Sequence, residues 1–126
     1  MDKAQSNSST KLENGHASGT TLDELVRRYM RYLKLERSYS PNTLNAYRHD
    51  ISLLLSHLAE QQLTPFDVKL EDLEHFAAWL HERGNGPKSQ ARILSGVRSF
   101  YHFLVIDGYL DLDPTELLES PHLPQH

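Results

Sequence analysis

Ser40-Pro41-Asn42-Thr43-Leu44-Asn45-Ala46-Tyr47-Arg48-His49-Asp50 is a helix start spelled out in side chains. Ser40 suits the N-cap, where a hydroxyl accepts from a first-turn amide. Pro41 suits the first helical position, because the N–H it lacks would have no partner there. Leu44 and Tyr47 open an apolar stripe that continues through Ile51, Leu54, Leu55 and Leu58 at the three- and four-residue steps of one helix face. The spacing predicts a helix from Pro41 to near Gln61. Its first turns are crowded with Asn42, Asn45, Arg48 and His49. Asparagine can read an adenine edge, arginine can take guanine or phosphate, and the free amides of a helix start accept phosphate oxygens. The stretch therefore offers two readings, a nucleic-acid contact or an ordinary solvated helix face.

Three more helical stripes flank this one, and no stretch alternates like a strand. Upstream, Thr21-Leu22-Asp23-Glu24 fits a capping box, followed by Leu22, Leu25, Val26, Tyr29, Met30 and Leu33 on one face and Arg27, Arg28, Arg31 and Lys34 on the other. This helix should end near Arg37. Downstream, a loop with Pro65 should send Phe66 and Val68 into the core. A third helix is predicted from Leu70 to Arg83, with Leu73, Phe76, Ala77, Trp79 and Leu80 apolar and Gly84 as its stop. Pro87 restarts a fourth, to Ile106, burying Ile93, Val97, Phe100, Tyr101 and Leu104 and stopping at Gly108. Asp113-Pro114 opens a short last turn through Leu118. The predicted fold class is all-α, with four main helices and a short C-terminal turn.

The 126-residue chain divides unevenly. Residues 1–20 contain one Leu and no aromatic side chain, too little apolar surface to offset the entropy of ordering, so a disordered leader or a remnant of cloning is expected there. Residues 21–119 make up one helical domain. Ser120-Pro121-His122-Leu123-Pro124, within 120–126, reads as the start of a linker into a further domain. With no Cys, a disulfide scaffold and a thiolate metal site are excluded. Residues 1–20 lack the apolar run of a signal peptide and no apolar run is long enough to cross a bilayer, so a soluble cytoplasmic protein is expected. Net charge is −4, but it is unevenly spread. Residues 21–50 carry six Lys/Arg against four acids, and residues 83–102 carry four Lys/Arg and no acid. The acidic blocks are 51–82 and 103–126. If the two basic blocks meet in space, the domain gains a basic face despite its acidic total.

Catalytic readings find little support. Among the eight His residues, His75 and His81 lie six apart and His49 and His57 eight apart, neither matching the three- to five-residue spacing of helical zinc pairs, so no metal site and no cofactor is expected. No nucleophile elbow or Gly-rich phosphate loop is present. Tyr29, Tyr47 and Tyr101 lie on apolar stripes and belong to the core or its rim; Trp79 reads as packing or as a contact with a neighbouring subunit. The fourth helix instead repeats the theme of the second. Lys88-Ser89-Gln90-Ala91-Arg92 follows a Pro start, and Lys88, Arg92, Ser95 and Ser99 share a face away from the stripe. Two Pro-started helices with Lys/Arg, Asn/Gln and Ser/Thr near their N-termini suit phosphate positioning with some base reading. The competing function class is a non-catalytic helical protein-interaction module with merely solvated basic faces.

These residues also resemble a known family. Tyr32-Leu33, Glu36-Arg37 and the Ser40–Asp50 motif are similar to the N-terminal core-binding (SAM-like) domain of tyrosine recombinases, closest to the Xer and phage-integrase group. Arg92-Ile93-Leu94-Ser95-Gly96-Val97-Arg98-Ser99-Phe100-Tyr101-His102-Phe103-Leu104 resembles its second signature, followed by Gly108, Asp113-Pro114 and the Ser120–Pro124 linker. Leu70 and Gly86-Pro87 depart from the Ser/Thr-capped starts usual there. The resemblance implies two crossed helical hairpins on one side of duplex DNA, the second and fourth helices facing the major groove of a core site. It places the catalytic Arg, Lys, His and nucleophilic Tyr in a following domain, so no catalytic residue is expected in this chain. Recombinase subunits tetrameric on DNA would be the partners of the full-length protein, the fragment itself being monomeric. The expected DNA-facing residues are Asn42, Thr43, Asn45, Arg48 and His49 with Lys88, Ser89, Gln90, Arg92 and Arg98. Arg48 and Arg92 are the foremost of them, and both should be replaceable by Ala without loss of fold.

Overall fold

A computed structural model of the chain describes residues 21–119. The leader at 1–20 and the linker at 120–126 lie outside the described residues. Within them are four α-helices and no strand: α1 Leu22–Glu36, α2 Pro41–Glu60, α3 Leu70–Glu82 and α4 Pro87–Ile106, with a 3₁₀ turn at Pro65–Asp67. The all-α expectation holds, and each predicted end falls within a residue or so of the observed one. Among the described residues, no helix is long and apolar enough to cross a membrane.

Local chemistry sets the helix ends. Thr21 Oγ1 accepts from the Glu24 amide at 3.1 Å, and Ser40 Oγ accepts from the Thr43 amide at 3.3 Å. The Glu24 carboxylate, expected to complete a capping box, accepts from Arg28 at 3.0 Å. At α3, where Leu70 departs from a capped start, Lys69 is the N-cap and the Asp72 carboxylate accepts its amide at 2.9 Å. Gly84 and Gly108 adopt φ of 95° and 83°, and each closes its helix with a paired C-terminal hydrogen-bond motif. Gln62 does the same after α2 at φ 60° without being glycine.

Helices α2 and α4 form the most extensive contact, and α1 and α3 each pack on that pair. The centre is aromatic. Tyr29 meets Phe100 edge-on at 5.1 Å and Phe103 at 5.5 Å, while its hydroxyl donates to Ser99 Oγ at 3.0 Å. Tyr101, fully buried, donates to the Pro65 carbonyl at 2.8 Å and so ties α4 to the 3₁₀ turn. Tyr29 and Tyr101 are core residues and Tyr47 lies at the rim, as their stripes predicted. Val68 is buried and Phe66 packs half-buried against the core.

Helix α4 is buried more widely than one stripe allows. Leu94, Gly96 and Phe103 are buried beside the expected Ile93, Val97, Phe100, Tyr101 and Leu104. Gly96 is the point of closest approach: a Cβ there would lie 2.8 Å from Asp50 Cβ and 2.9 Å from Asp50 Cγ. The absence of a side chain lets α4 seat directly on Asp50 of α2.

Candidate nucleic-acid interface

Helix α2 organises the polar surface. Asn42, Asn45 and His49 recur at three- and four-residue steps on its exposed side. Arg48 borders that face toward α1, where a groove of about 460 Å³ is lined by Arg27, Met30, Arg31, Lys34, Pro41, Leu44, Asn45 and Arg48. Asp50 borders it toward α4. There, Arg92 donates from Nη2 to Asp50 Oδ1 at 2.8 Å and from Nη1 to Oδ2 at 3.2 Å. Lys88 is exposed one turn before Arg92 on α4. Cationic side chains thus flank the asparagine face of α2 on both sides, four lining the α1 groove and two on α4.

The ten residues expected to face DNA divide into two kinds. Asn42, Asn45, Arg48, His49 and Lys88 are exposed. The others are engaged. Thr43 is half-buried, its hydroxyl accepting from Ser40 Oγ at 3.1 Å. Ser89 donates to Asn85 Oδ1 at 2.9 Å, and Gln90, only 8% exposed, donates to the Asn85 carbonyl at 2.8 Å. Those two bonds secure the start of α4, whose N-cap Gly86 supplies no side-chain cap. Gln90 is therefore a structural amide in this state. Arg98 is half-buried and donates to the Leu118 carbonyl at 2.9 Å, pinning the C-terminal turn that Asp113 organises by accepting from Thr115 N and Oγ1.

Arg92 is both structural and accessible. Its side chain is 52% exposed although its partner Asp50 is buried. Burial pushes the Asp50 carboxyl above its ordinary range, and the Arg92 hydrogen bond and charge pull it back down, helped by the charge of His49. The expectation that Arg92 could be cut back without cost to the fold is revised accordingly, since its removal would strand a buried carboxylate.

Two sets of residues escaped the sequence reading. Arg27, Arg31 and Lys34 were placed on an outer face but not connected to α2. Asp50 was read as the end of a motif, although its position one residue before Ile51 puts it against the buried stripe, where a charge calls for a partner. Among the described residues, no group of three or more His, Cys, Asp or Glu side chains is placed to hold a metal ion.

Comparison with known proteins bears on this surface. The sequence model of the family described as phage integrase, N-terminal SAM-like domain, matches residues 26–108. Tyrosine recombinase XerD of Staphylococcus saprophyticus is 33% identical over 101 residues, covering 79% of this chain and 34% of that protein. Tyrosine recombinase XerC of Pseudomonas syringae pv. syringae is 36% identical over 101 residues, covering the same shares. XerD of Listeria monocytogenes is 32% identical over 106 residues, covering 82% of this chain and 36% of that protein. The chain spans about a third of the length of these curated relatives. No solved structure gives a significant match.

Proposed function

Because the chain belongs to the phage integrase N-terminal SAM-like domain family of tyrosine recombinases, we propose that it is the DNA-binding part of a site-specific recombinase and holds duplex DNA at a core site. The observation that carries this reading is the surface of α2. Asn42, Asn45, Arg48 and His49 stand exposed within its first three turns, between the α1 cations and the α4 pair Lys88 and Arg92. Arginines and lysines supply sequence-independent phosphate contacts, and the asparagines supply groups able to read base edges. The basic face also reconciles the partner with a net charge of −4, because the field at the contact decides attraction, not the total.

In this reading residues 21–119 are the binding unit, 1–20 a leader or a remnant of cloning, and 120–126 the start of a linker to a catalytic domain. Strand cleavage and rejoining then belong to that domain, and this part is not catalytic by itself. Its partners are duplex DNA and further recombinase subunits, assembled as a tetramer in the cytoplasm. The test is equilibrium binding of the full-length natural chain to duplex DNA across a salt series. Retention at low salt, with log affinity falling linearly against log salt, is expected. A full-length chain that fails to retain duplex DNA at low salt would instead support a helical protein-interaction module.

A further inference from the structure

We propose that the groove between α1 and α2 is a second phosphate track, in which Arg27, Arg31 and Lys34 hold the sugar–phosphate backbone of one strand of duplex DNA opposite Arg48. This rests on the DNA-binding reading above and extends it to a helix outside the expected contact set.

Four of the eight residues lining the groove are cationic, and none is acidic. The ion pairs found among the described residues are Arg28–Glu24 and Arg92–Asp50, so none of the four cations is neutralised by a described carboxylate. Such a cluster repels itself and is stabilised by an anion. Its layout favours a polymeric anion. Arg27, Arg31 and Lys34 follow one another at steps of four and three residues, spanning about 10 Å along α1. Successive phosphates on one DNA strand advance about 3.4 Å along the duplex axis, so a stretch of about four phosphates covers a similar length. Met30, Leu44 and Pro41 add apolar surface to the same lining, which suits the sugar edges between phosphates. Asn45 lines the same groove and belongs to the α2 face, so a strand lying there would continue onto the residues proposed to read bases.

The experiment compares the full-length chain with its Arg27→Gln/Arg31→Gln/Lys34→Gln variant, binding a labelled duplex of arbitrary sequence across a salt series. The slope of log affinity against log salt should fall by about two to three, with affinity lost equally on unrelated sequences. Arg31→Gln alone should lower it by about one, and Arg27→Lys/Arg31→Lys should restore most of the slope. Wild-type binding with an unchanged slope in the triple variant would overturn the phosphate track while leaving the DNA-binding reading intact. So would loss of self-association in sedimentation without any change in slope, which would assign these cations to a protein partner. Absence of wild-type duplex binding would overturn both readings together.

Discussion

Arg92 and Asp50, 42 residues apart, form a two-point ion pair at 2.8 and 3.2 Å that joins α4 to α2 at the edge of the proposed DNA face. Asp50 is 1% exposed, whereas the Arg92 side chain is half in water. Loss of the arginine leaves a buried charge without its partner, which for a fully buried pair costs about 3–5 kcal/mol. Water can reach this carboxylate once Arg92 is removed, so about 1–3 kcal/mol is expected for Arg92→Ala. Asp50→Asn keeps the volume and one acceptor while removing the desolvated charge, and should cost about 1 kcal/mol. Urea unfolding of the two variants checks the order. A loss in Asp50→Asn as large as that in Arg92→Ala would show that the pair, and not the stranded charge, dominates.

Gly96 and Gly108 test two different uses of glycine. At Gly96 the backbone is ordinary helix and the space is missing. Alanine would gain about 1 kcal/mol in helix propensity but push α4 off Asp50, for a net loss of about 1–3 kcal/mol. At Gly108 the space is open, with nothing among the described residues within 4 Å of an added Cβ, but φ is 83°. Alanine there should lose about 1–2 kcal/mol through conformation alone. The two separate in a double variant: Asp50→Ala should soften the effect of Gly96→Ala and leave that of Gly108→Ala unchanged. Equal softening at both positions would contradict the assignment.

His57 makes stability depend on pH. It is buried on the face of α2 that meets α3, with Phe76 at 5.6 Å and Trp79 at 5.2 Å, and its Nδ1 has no hydrogen-bond partner among the described residues. Burial lowers its proton affinity; Glu60 and Asp72 oppose this and His75 reinforces it. An unfolded histidine takes up its proton near pH 6.5, while the folded one resists until lower pH. The unfolded state thus binds more protons in that window, so stability is fully present above about pH 6.5 and declines as pH falls toward the folded value. The urea midpoint should drop on acidification from pH 7.5 to 5.5, and His57→Phe should flatten that drop. Asp50 acts with the opposite sign at lower pH, because its raised folded value makes stability fall as pH rises through the carboxylate range. An unaltered pH profile in His57→Phe would assign the acid sensitivity elsewhere.

The helices were legible because their signals are local. Ser40 with Pro41 and Thr21 mark starts through side-chain chemistry, Gly84 and Gly108 mark stops through the positive φ that a missing Cβ permits, and each apolar stripe shows which face is buried. What escaped the reading depends on pairings distant in sequence. A stripe assumes one buried face, but α4 contacts α1, α2 and α3 together, so Leu94, Phe103 and Gln90 are buried outside it. Asp50 and Arg92 look like two independent polar residues until the helices cross. Gly96 did carry a signal, since a glycine in mid-helix is costly enough to imply a packing reason. The exposed half of the candidate site was legible as α2 polarity; its flank on α1 was not, because only the fold brings Arg31 and Arg48 to one groove.

Arg48 and Arg92, paired as equals on sequence grounds, should therefore behave differently. Arg48 is exposed, and no hydrogen bond or ion pair holds it among the described residues. Arg48→Ala should leave the unfolding free energy within about 0.5 kcal/mol of wild type, as surface substitutions do. In the full-length chain it should lower the salt slope of duplex binding by about one if Arg48 meets a phosphate. If it meets a base, the loss should be about 1–3 kcal/mol and confined to the preferred site. Arg92→Ala should weaken binding and stability together, because the same guanidinium secures Asp50 and faces the proposed partner. Measuring unfolding and duplex binding on both variants separates the roles. Wild-type affinity in Arg48→Ala, with Arg92→Ala weakened only in proportion to its loss of folded protein, would place the DNA on another face of the domain.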